Sequence, residues 1–252
     1  MSTNKSFITN IGKIVTKTIF RHDLIQNGDS ILVALSGGKD SLVLLETLAQ
    51  RKRHMPLDYS LYAVHIQAEN ITYNVDLTFL QNFCDRLEVP LYIKNISIDL
   101  SGNKKSPCFI CSWYRRRELF GMTNRLNCNK LAMGHHVDDA IETLLMNRIH
   151  HGSISSLPAK LSMFQGKFEI IRPLIQLHEE DIQKYNDIRH FPKSEKTCPY
   201  DMATSRYEIK QLLEQLEAQN ENAKKNIFLS MTKIYESYLP QIPHRRPDNT
   251  KK

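Results

Sequence analysis

Short apolar runs alternate with helical stretches through the first 150 residues, and this alternation constrains the fold more than any other feature of the chain. Residues 31–35 are apolar and lie between Asn27-Gly28-Asp29 and Ser36-Gly37-Gly38, the punctuation of a short buried strand. Residues 41–53 then read as a helix, and the strand signal returns at 61–66. Leu80, Phe83, Cys84 and Leu87 recur at helical spacing before a third strand at 91–96. Another round follows, with a helix over 111–127, a strand at 130–133 and a helix over 138–150. The expected fold is α/β: a doubly wound, mainly parallel sheet with helices on both faces and ligands at the carboxyl ends of the strands.

After Gly152 the pattern changes to a short loop, a strand ending at Arg172-Pro173-Leu174, and helices starting near His178 and Arg206. Four parts are expected: an N-terminal helical segment (1–27), the α/β domain (28–175), a helical C-terminal extension (176–239) and a disordered basic tail (240–252). The tail carries Pro240, Pro243 and Pro247 and has little apolar content to pack.

Thirty-four Lys and Arg against 27 Asp and Glu give a formal net charge of +7, which points to a polyanionic partner, nucleic acid first. The competing reading is a basic, solvated surface. The 5 cysteines are odd in number and spread through 252 residues, unlike a small disulfide scaffold, so a reducing cytoplasmic setting is expected. Residues 1–20 lack an uninterrupted apolar core with a cleavage site, and no apolar run approaches the ~18 residues of a membrane span. A soluble protein with no membrane partner follows as the expectation.

Ser36-Gly37-Gly38-Lys39-Asp40-Ser41 joins a strand to a helix, where backbone N–H groups and the helix dipole favour an anion. Two glycines allow close approach, two serines add donors, Lys39 adds charge and Asp40 can hold magnesium. The spacing is not that of a Walker A loop. Met133-Gly134-His135-His136-Val137-Asp138-Asp139 similarly follows a strand and opens a helix. One of its acids can serve as an N-cap, while His135 near the phosphates and Asp139 toward magnesium or the activated base give the run a role in nucleotide and metal binding.

Cys108-Phe109-Ile110-Cys111 brings two soft ligands within reach of one metal, and Cys198 lies in a later loop. A structural zinc site closes with four ligands, whereas a 4Fe-4S cluster held by three leaves one iron open; a redox dithiol is the other reading of the pair. Cys84, on an apolar helical face, and Cys128 read as core or incidental thiols.

The loop at 36–41 resembles the signature Ser-Gly-Gly-x-Asp-Ser of the PP-loop ATP pyrophosphatases (HUP-like fold), whose members cleave ATP between the α and β phosphates and adenylate an oxygen. Gly134 to Asp139, the following Thr143, Leu144, Asn147 and Gly152, the segment Cys108-Phe109-Ile110-Cys111-Ser112-Trp113-Tyr114-Arg115-Arg116, Arg172-Pro173-Leu174 and Thr197-Cys198-Pro199 resemble the tRNA 2-thiocytidine synthetase family, over about residues 28–238. The resemblance to tRNA lysidine synthetases is looser.

The resemblance implies ATP at Ala34, Ser36 to Ser41, His65, Gly134 and His135, and magnesium at Asp40 and Asp139. It implies a 4Fe-4S cluster at Cys108, Cys111 and Cys198, and catalytic duty for Lys39, Asp40, Asp139 and Arg115. Arg116 is assigned to substrate or phosphate with Arg115, and Trp113 and Arg116 are candidate base-stacking partners. The implied reaction is ATP-dependent sulfur transfer to O2 of a pyrimidine in tRNA, cytidine 32 of the anticodon loop, with a sulfur donor system (cysteine desulfurase or free sulfide) and a homodimer compatible with it.

Departures are Asp201, where the bacterial enzymes carry a further cysteine, and Arg117, where they carry glycine. Zinc ribbons of the related 2-thiouridine enzymes are missing. Other readings are a 2-thiouridine-forming enzyme, a PP-loop ligase or amidotransferase acting on a small molecule, and a nucleotide-binding or iron-sulfur-sensing module without turnover.

Overall fold

The computed structural model describes residues 2–71, 75–101, 106–192 and 205–240. Strands β1 (Asp29–Ala34), β2 (Tyr59–Ala68), β3 (Leu91–Ile96), β4 (Lys130–Ala132), β5 (Lys160–Met163) and β6 (Phe168–Ile171) form one sheet in the order β3-β2-β1-β4-β6-β5. The helices are α1 (Ser2–Arg21), α2 (Lys39–Lys52), α3 (Leu77–Arg86), α4 (Pro107–Arg125), α5 (Val137–His151), α6 (Glu179–Arg189), α7 (Ser205–Gln219) and α8 (Ala223–Ser230). The expected α/β architecture is present: β1 pairs in parallel with β2 and β4, β2 with β3, and β4 with β6. From β1 the chain runs outward through β2 and β3, then returns to add β4 on the other side. A crevice at the carboxyl ends of β1 and β4 is the consequence.

Alternation along the strands decides which helices cover which face. Ile31 and Val33 enter a core shared with α1, α2, α3 and α6, whereas Leu32 enters a second core with Ile110, Leu119 and Met122 of α4. The helices at both ends of the α/β unit belong to the first core, through Ile11, Val15 and Ile19 of α1 and Ile182 and Tyr185 of α6. The Tyr185 hydroxyl donates to Glu46 Oε2 of α2 at 2.7 Å, and Arg189 Nε pairs with the same oxygen at 2.9 Å. Ile209 and Leu213 of α7 instead pack on Val137 and Ile141 of α5.

The sequence pattern did not reveal β5. It pairs antiparallel with β6, Lys160 opposite Ile171 and Met163 opposite Phe168. Phe164, Gln165 and Gly166 in its turn all have positive φ, and only the glycine advertises a turn in sequence. At the amino ends of the strands, Lys130 is buried between Asp29, at 3.7 Å, and Glu169, while Asn129 Nδ2 donates to Asp29 Oδ1 at 2.6 Å. This polar clamp fixes the register of β1, β4 and β6 at the end opposite the crevice. No helix of the described residues is long and apolar enough to cross a membrane.

Candidate active site

The crevice is built first by the loop after β1. Gly37 adopts φ of +86°, and a Cβ there would stand 2.8 Å from Val75 Cγ1, so glycine is required for both conformation and space. Ser41 closes the loop: its hydroxyl donates to the Gly38 carbonyl at 2.9 Å and accepts from the Ser36 amide at 3.1 Å. The Gly38 amide donates to Ser36 Oγ at 3.2 Å. Gly38 is the N-cap residue of α2 and brings no side-chain cap, which leaves the helix start open to an external anion.

The loop after β4 approaches this helix start closely. A Cβ on Gly134 would lie 3.0 Å from the carbonyl carbon and oxygen of Asp40 and 3.1 Å from the Ser41 nitrogen. His136 caps α5 and is buried, with Nε2 3.3 Å from Asp139 Oδ2 and 3.9 Å from Asp40 Oδ1. Burial opposes its protonation, but Asp138, Asp139 and Asp40 outweigh burial and raise its pKa. The His136 Nε2 thus lies within 4 Å of both carboxylates that face the crevice, Asp40 and Asp139.

The paired acids of the motif separate by direction. Asp139 lines the cavity, and its Oδ2 accepts from the His136 amide at 3.1 Å. Asp138 is buried; it accepts from the Glu179 amide at 2.8 Å and pairs with Lys224 at 3.1 Å, tying α5 to α6 and α8. Burial raises the Asp138 pKa, but His136, the Glu179 amide and Lys224 win and hold it far below the ordinary range.

His135 stands in the cavity wall, and its Nδ1 accepts from Nε of the buried Arg172 at 3.2 Å. That bond leaves the ring proton on Nε2. Burial, with Arg172 nearby, lowers the His135 pKa to about 4, so near neutrality the ring is an uncharged donor.

Between these walls lies a cavity of about 300 Å³. Ala34, Ser36, Asp40, Ser41, Gly134, His135 and Asp139 of the expected site all line it, and so does Arg115 of α4. Lys39 stands beside it with Nζ 3.3 Å from Asp40 Oδ1 and 3.2 Å from Glu179 Oε1. Burial disfavours its charge, yet these carboxylates raise its pKa. His65 is fully buried, its Nδ1 2.8 Å from the Leu35 carbonyl and its Nε2 3.3 Å from Gln67 Oε1. The flanking Val64 and Ile66 line the cavity, and the His65 ring supports the start of the loop.

Cys108 and Cys111 occupy the first turn of α4, whose N-cap Ser106 accepts from the Phe109 amide at 3.4 Å. Positions 108, 111, 115 and 119 recur along one helical stripe. Arg115 and Leu119 of that stripe line the cavity, and Cys111 stands one turn, ~6 Å, before Arg115. Both cysteines are half-buried, and one helical turn apart they are close enough to hold one soft metal centre. Cys84 and Cys128, by contrast, are buried thiols pushed up to about 12 and about 11 by burial, and belong to the two cores. Cys198, with Thr197, Pro199 and Asp201, lies outside the described residues, as does the tail from 241 onward.

Comparisons with known proteins cover the part of the chain that builds this site. The family model described as the PP-loop domain matches residues 4–216. A tRNA-cytidine(32) 2-sulfurtransferase of Geotalea uraniireducens is 33% identical over 237 residues, covering 92% of this chain and 94% of its own length. Another, from Paraburkholderia phytofirmans, is 31% identical over 242 residues, covering 94% of this chain and 71% of its own length.

The chain belongs to the tRNA-cytidine(32) 2-sulfurtransferase family of PP-loop proteins.

Among solved structures, the U34-tRNA thiolase NcsA from Methanococcus maripaludis with its 4Fe-4S cluster has a TM-score of 0.74 and 25% identity, over 91% of this chain and 78% of that one. The PP-loop of this family member is thus framed by residues that sequence reasoning did not single out. Arg206 of α7 lines the cavity, 3.7 Å from Asp139 Oδ1 and 3.2 Å from Glu142 Oε2. Glu179 of α6 pairs with Lys39 and, at 2.9 Å, with Lys210. Neither carries a local signal: Glu179 is 140 residues from Lys39 in sequence, and only the packing of α6 on α2 unites them.

Proposed function

We propose that this chain catalyses ATP-dependent thiolation of tRNA, replacing O2 of cytidine 32 with sulfur to give 2-thiocytidine. One observation carries the reading: the nucleotide cavity shares a wall with the helix that bears Cys108 and Cys111, through Arg115. Triphosphate and sulfur chemistry thereby meet on one element. Membership of the family supports the choice of cytidine.

In this reading the ATP phosphates lie over Ser36 to Ser41, against the loop amides and Lys39. Asp40 and Asp139 fit a magnesium ion, since both carboxylates face the cavity and both stand within 4 Å of the same His136 nitrogen. The pyrimidine O2 attacks the α phosphorus; the new P–O bond forms as the bond to the β-phosphate oxygen breaks, and pyrophosphate leaves. Lys39, the loop amides and the neutral His135 donor stabilise charge that develops on the phosphates. Arg115 orients the adenylated base, and Ala34 with the His65-supported strand end receives the nucleoside. Sulfur then bonds to C2 as the C2–O bond breaks and AMP departs.

Cys108 and Cys111, with Cys198 as third ligand, are the residues that would hold a 4Fe-4S cluster. When bound, the cluster would supply soft iron chemistry suited to delivering sulfur beside the nucleotide cavity. The reading extends to a cysteine desulfurase or free sulfide as donor, and to the cytoplasm, where unmodified tRNA is met.

The test is direct. Cluster-reconstituted protein is incubated without oxygen with unmodified tRNA, MgATP and sulfide, and the nucleosides are identified by mass. 2-Thiocytidine is expected. Thiouridine alone would reject the acceptor, and ATP cleavage without any thiolated base would favour a small-molecule ligase.

A further inference from the structure

The side of α4 that faces away from the cavity carries an exposed aromatic and basic group the mechanism does not use. Trp113 is 46% exposed and meets the Tyr114 ring edge-on, centroids 5.1 Å apart. The Arg117 guanidinium carbon lies 5.2 Å from the Trp113 centroid and 5.3 Å from that of Tyr114. Glu118 holds this guanidinium from the side at 3.6 Å, a half-exposed contact of little strength in water. Arg116, exposed on the same side, donates from Nε to the Ser112 carbonyl at 3.5 Å.

A flat indole half open to solvent, with the Arg117 guanidinium against it and an exposed Arg116 three residues along the same helix, on a chain of net charge +7, matches the chemistry of an unpaired nucleotide, with a π face for the base and cations for its phosphates. We propose that Trp113 and Arg117, with Arg116 beside them, form a stacking platform for a single-stranded RNA loop. The inference rests on the tRNA reading above and deepens it. One helix thickness, ~10 Å, separates the platform from Arg115 and Leu119 on the cavity side. The stacked base and the base undergoing chemistry are therefore different nucleotides of one loop. The platform fixes the loop while its neighbour enters the cavity.

Trp113 is the single tryptophan of the chain, so its fluorescence reports on the platform without any substitution. Wild-type protein is titrated with an unmodified anticodon stem-loop RNA and with a fully paired duplex of equal length, binding being followed in parallel by gel shift. The stem-loop should quench the indole at saturation, and the duplex should not. Trp113→Ala should weaken stem-loop binding by about 5- to 100-fold while leaving the salt slope unchanged, with Trp113→Phe retaining most of the affinity. Arg117→Ala should reduce that slope by about one.

Stem-loop binding by gel shift with no change in Trp113 emission, and with full affinity in Trp113→Ala, would overturn the platform and leave the tRNA reading standing. Equal quenching by the duplex would replace loop recognition with general backbone contact. Failure of the wild type to bind either RNA would remove the tRNA reading together with the platform.

Discussion

Glu179 links the phosphate loop to two later helices, so its ionisation is a property of the site as much as of the fold. Burial raises its pKa, but Lys210 and Lys39 prevail and hold it at about 2, against an ordinary 4.5. A carboxyl depressed in the folded state contributes stability that is present above about pH 4.5 and is lost as pH falls toward 2. Glu179→Gln should therefore be less stable than wild type at pH 6, with the gap closing as the medium is acidified. Urea midpoints at pH 6 and pH 3 measure this, and a gap that stays constant would deny Glu179 the role. Lys39→Ala should lower ATP-dependent pyrophosphate release by roughly 100- to 1,000-fold, as expected for removal of a preorganised charge. Arg206→Ala should raise the KM for ATP by roughly 10- to 100-fold, the worth of one or two charge-assisted hydrogen bonds, and Arg206→Lys should recover part of it. An unchanged KM in Arg206→Ala would leave this side chain only its ion pairs with Glu142, 3.2 Å away, and Asp139, 3.7 Å away.

At the scale of single elements, α4 joins three tasks along its length: cysteines in its first turn, Arg115 facing the cavity and Trp113 facing out. Cys108→Ala or Cys111→Ala should each abolish retention of iron on anaerobic purification. Cys84→Ala and Cys128→Ala should keep the iron and lower the melting temperature, because those thiols fill the cores. Iron content by colorimetry separates the two groups, and iron loss in Cys84→Ala with retention in Cys111→Ala would contradict the assignment.

The sequence made most of these elements legible, because buried parallel strands read as apolar runs and the Ser36 to Ser41 loop is bounded by a strand and a helix. Strand β3 begins and ends where the pattern set it, at Leu91 and Ile96. The edge strand β5 escaped notice because its Leu161 is 41% exposed and its turn uses Phe164 and Gln165 at positive φ. The motif Asp138-Asp139 was visible as a pair, but only the packing of α6 and α8 shows that Asp138 is structural and Asp139 faces the cavity. Arg206 and Glu179 were illegible for a related reason: each reaches the site through tertiary contacts.

At the scale of the whole molecule, the site exists because the strand order reverses between β1 and β4. Neither half of the chain contains a usable cavity: the phosphate loop comes from the first 41 residues, the opposing wall from 133–139, and the third side from α4 and α7. Gly134→Val should accordingly lose ATP binding despite introducing no charge, since its Cβ alone would meet the Asp40 backbone at 3.0 Å. Isothermal titration with a non-hydrolysable ATP analogue would detect this, and wild-type affinity would show that the loops yield. That contact also bears on how such chains can be inherited. A crossover between two relatives within residues 42–133 transfers one side of the Gly134–Asp40 contact without the other, and the offspring keeps a working site only if the two parents seat these loops alike. Natural recombination should therefore have been filtered at this seam, and the two loops should be exchanged between lineages together.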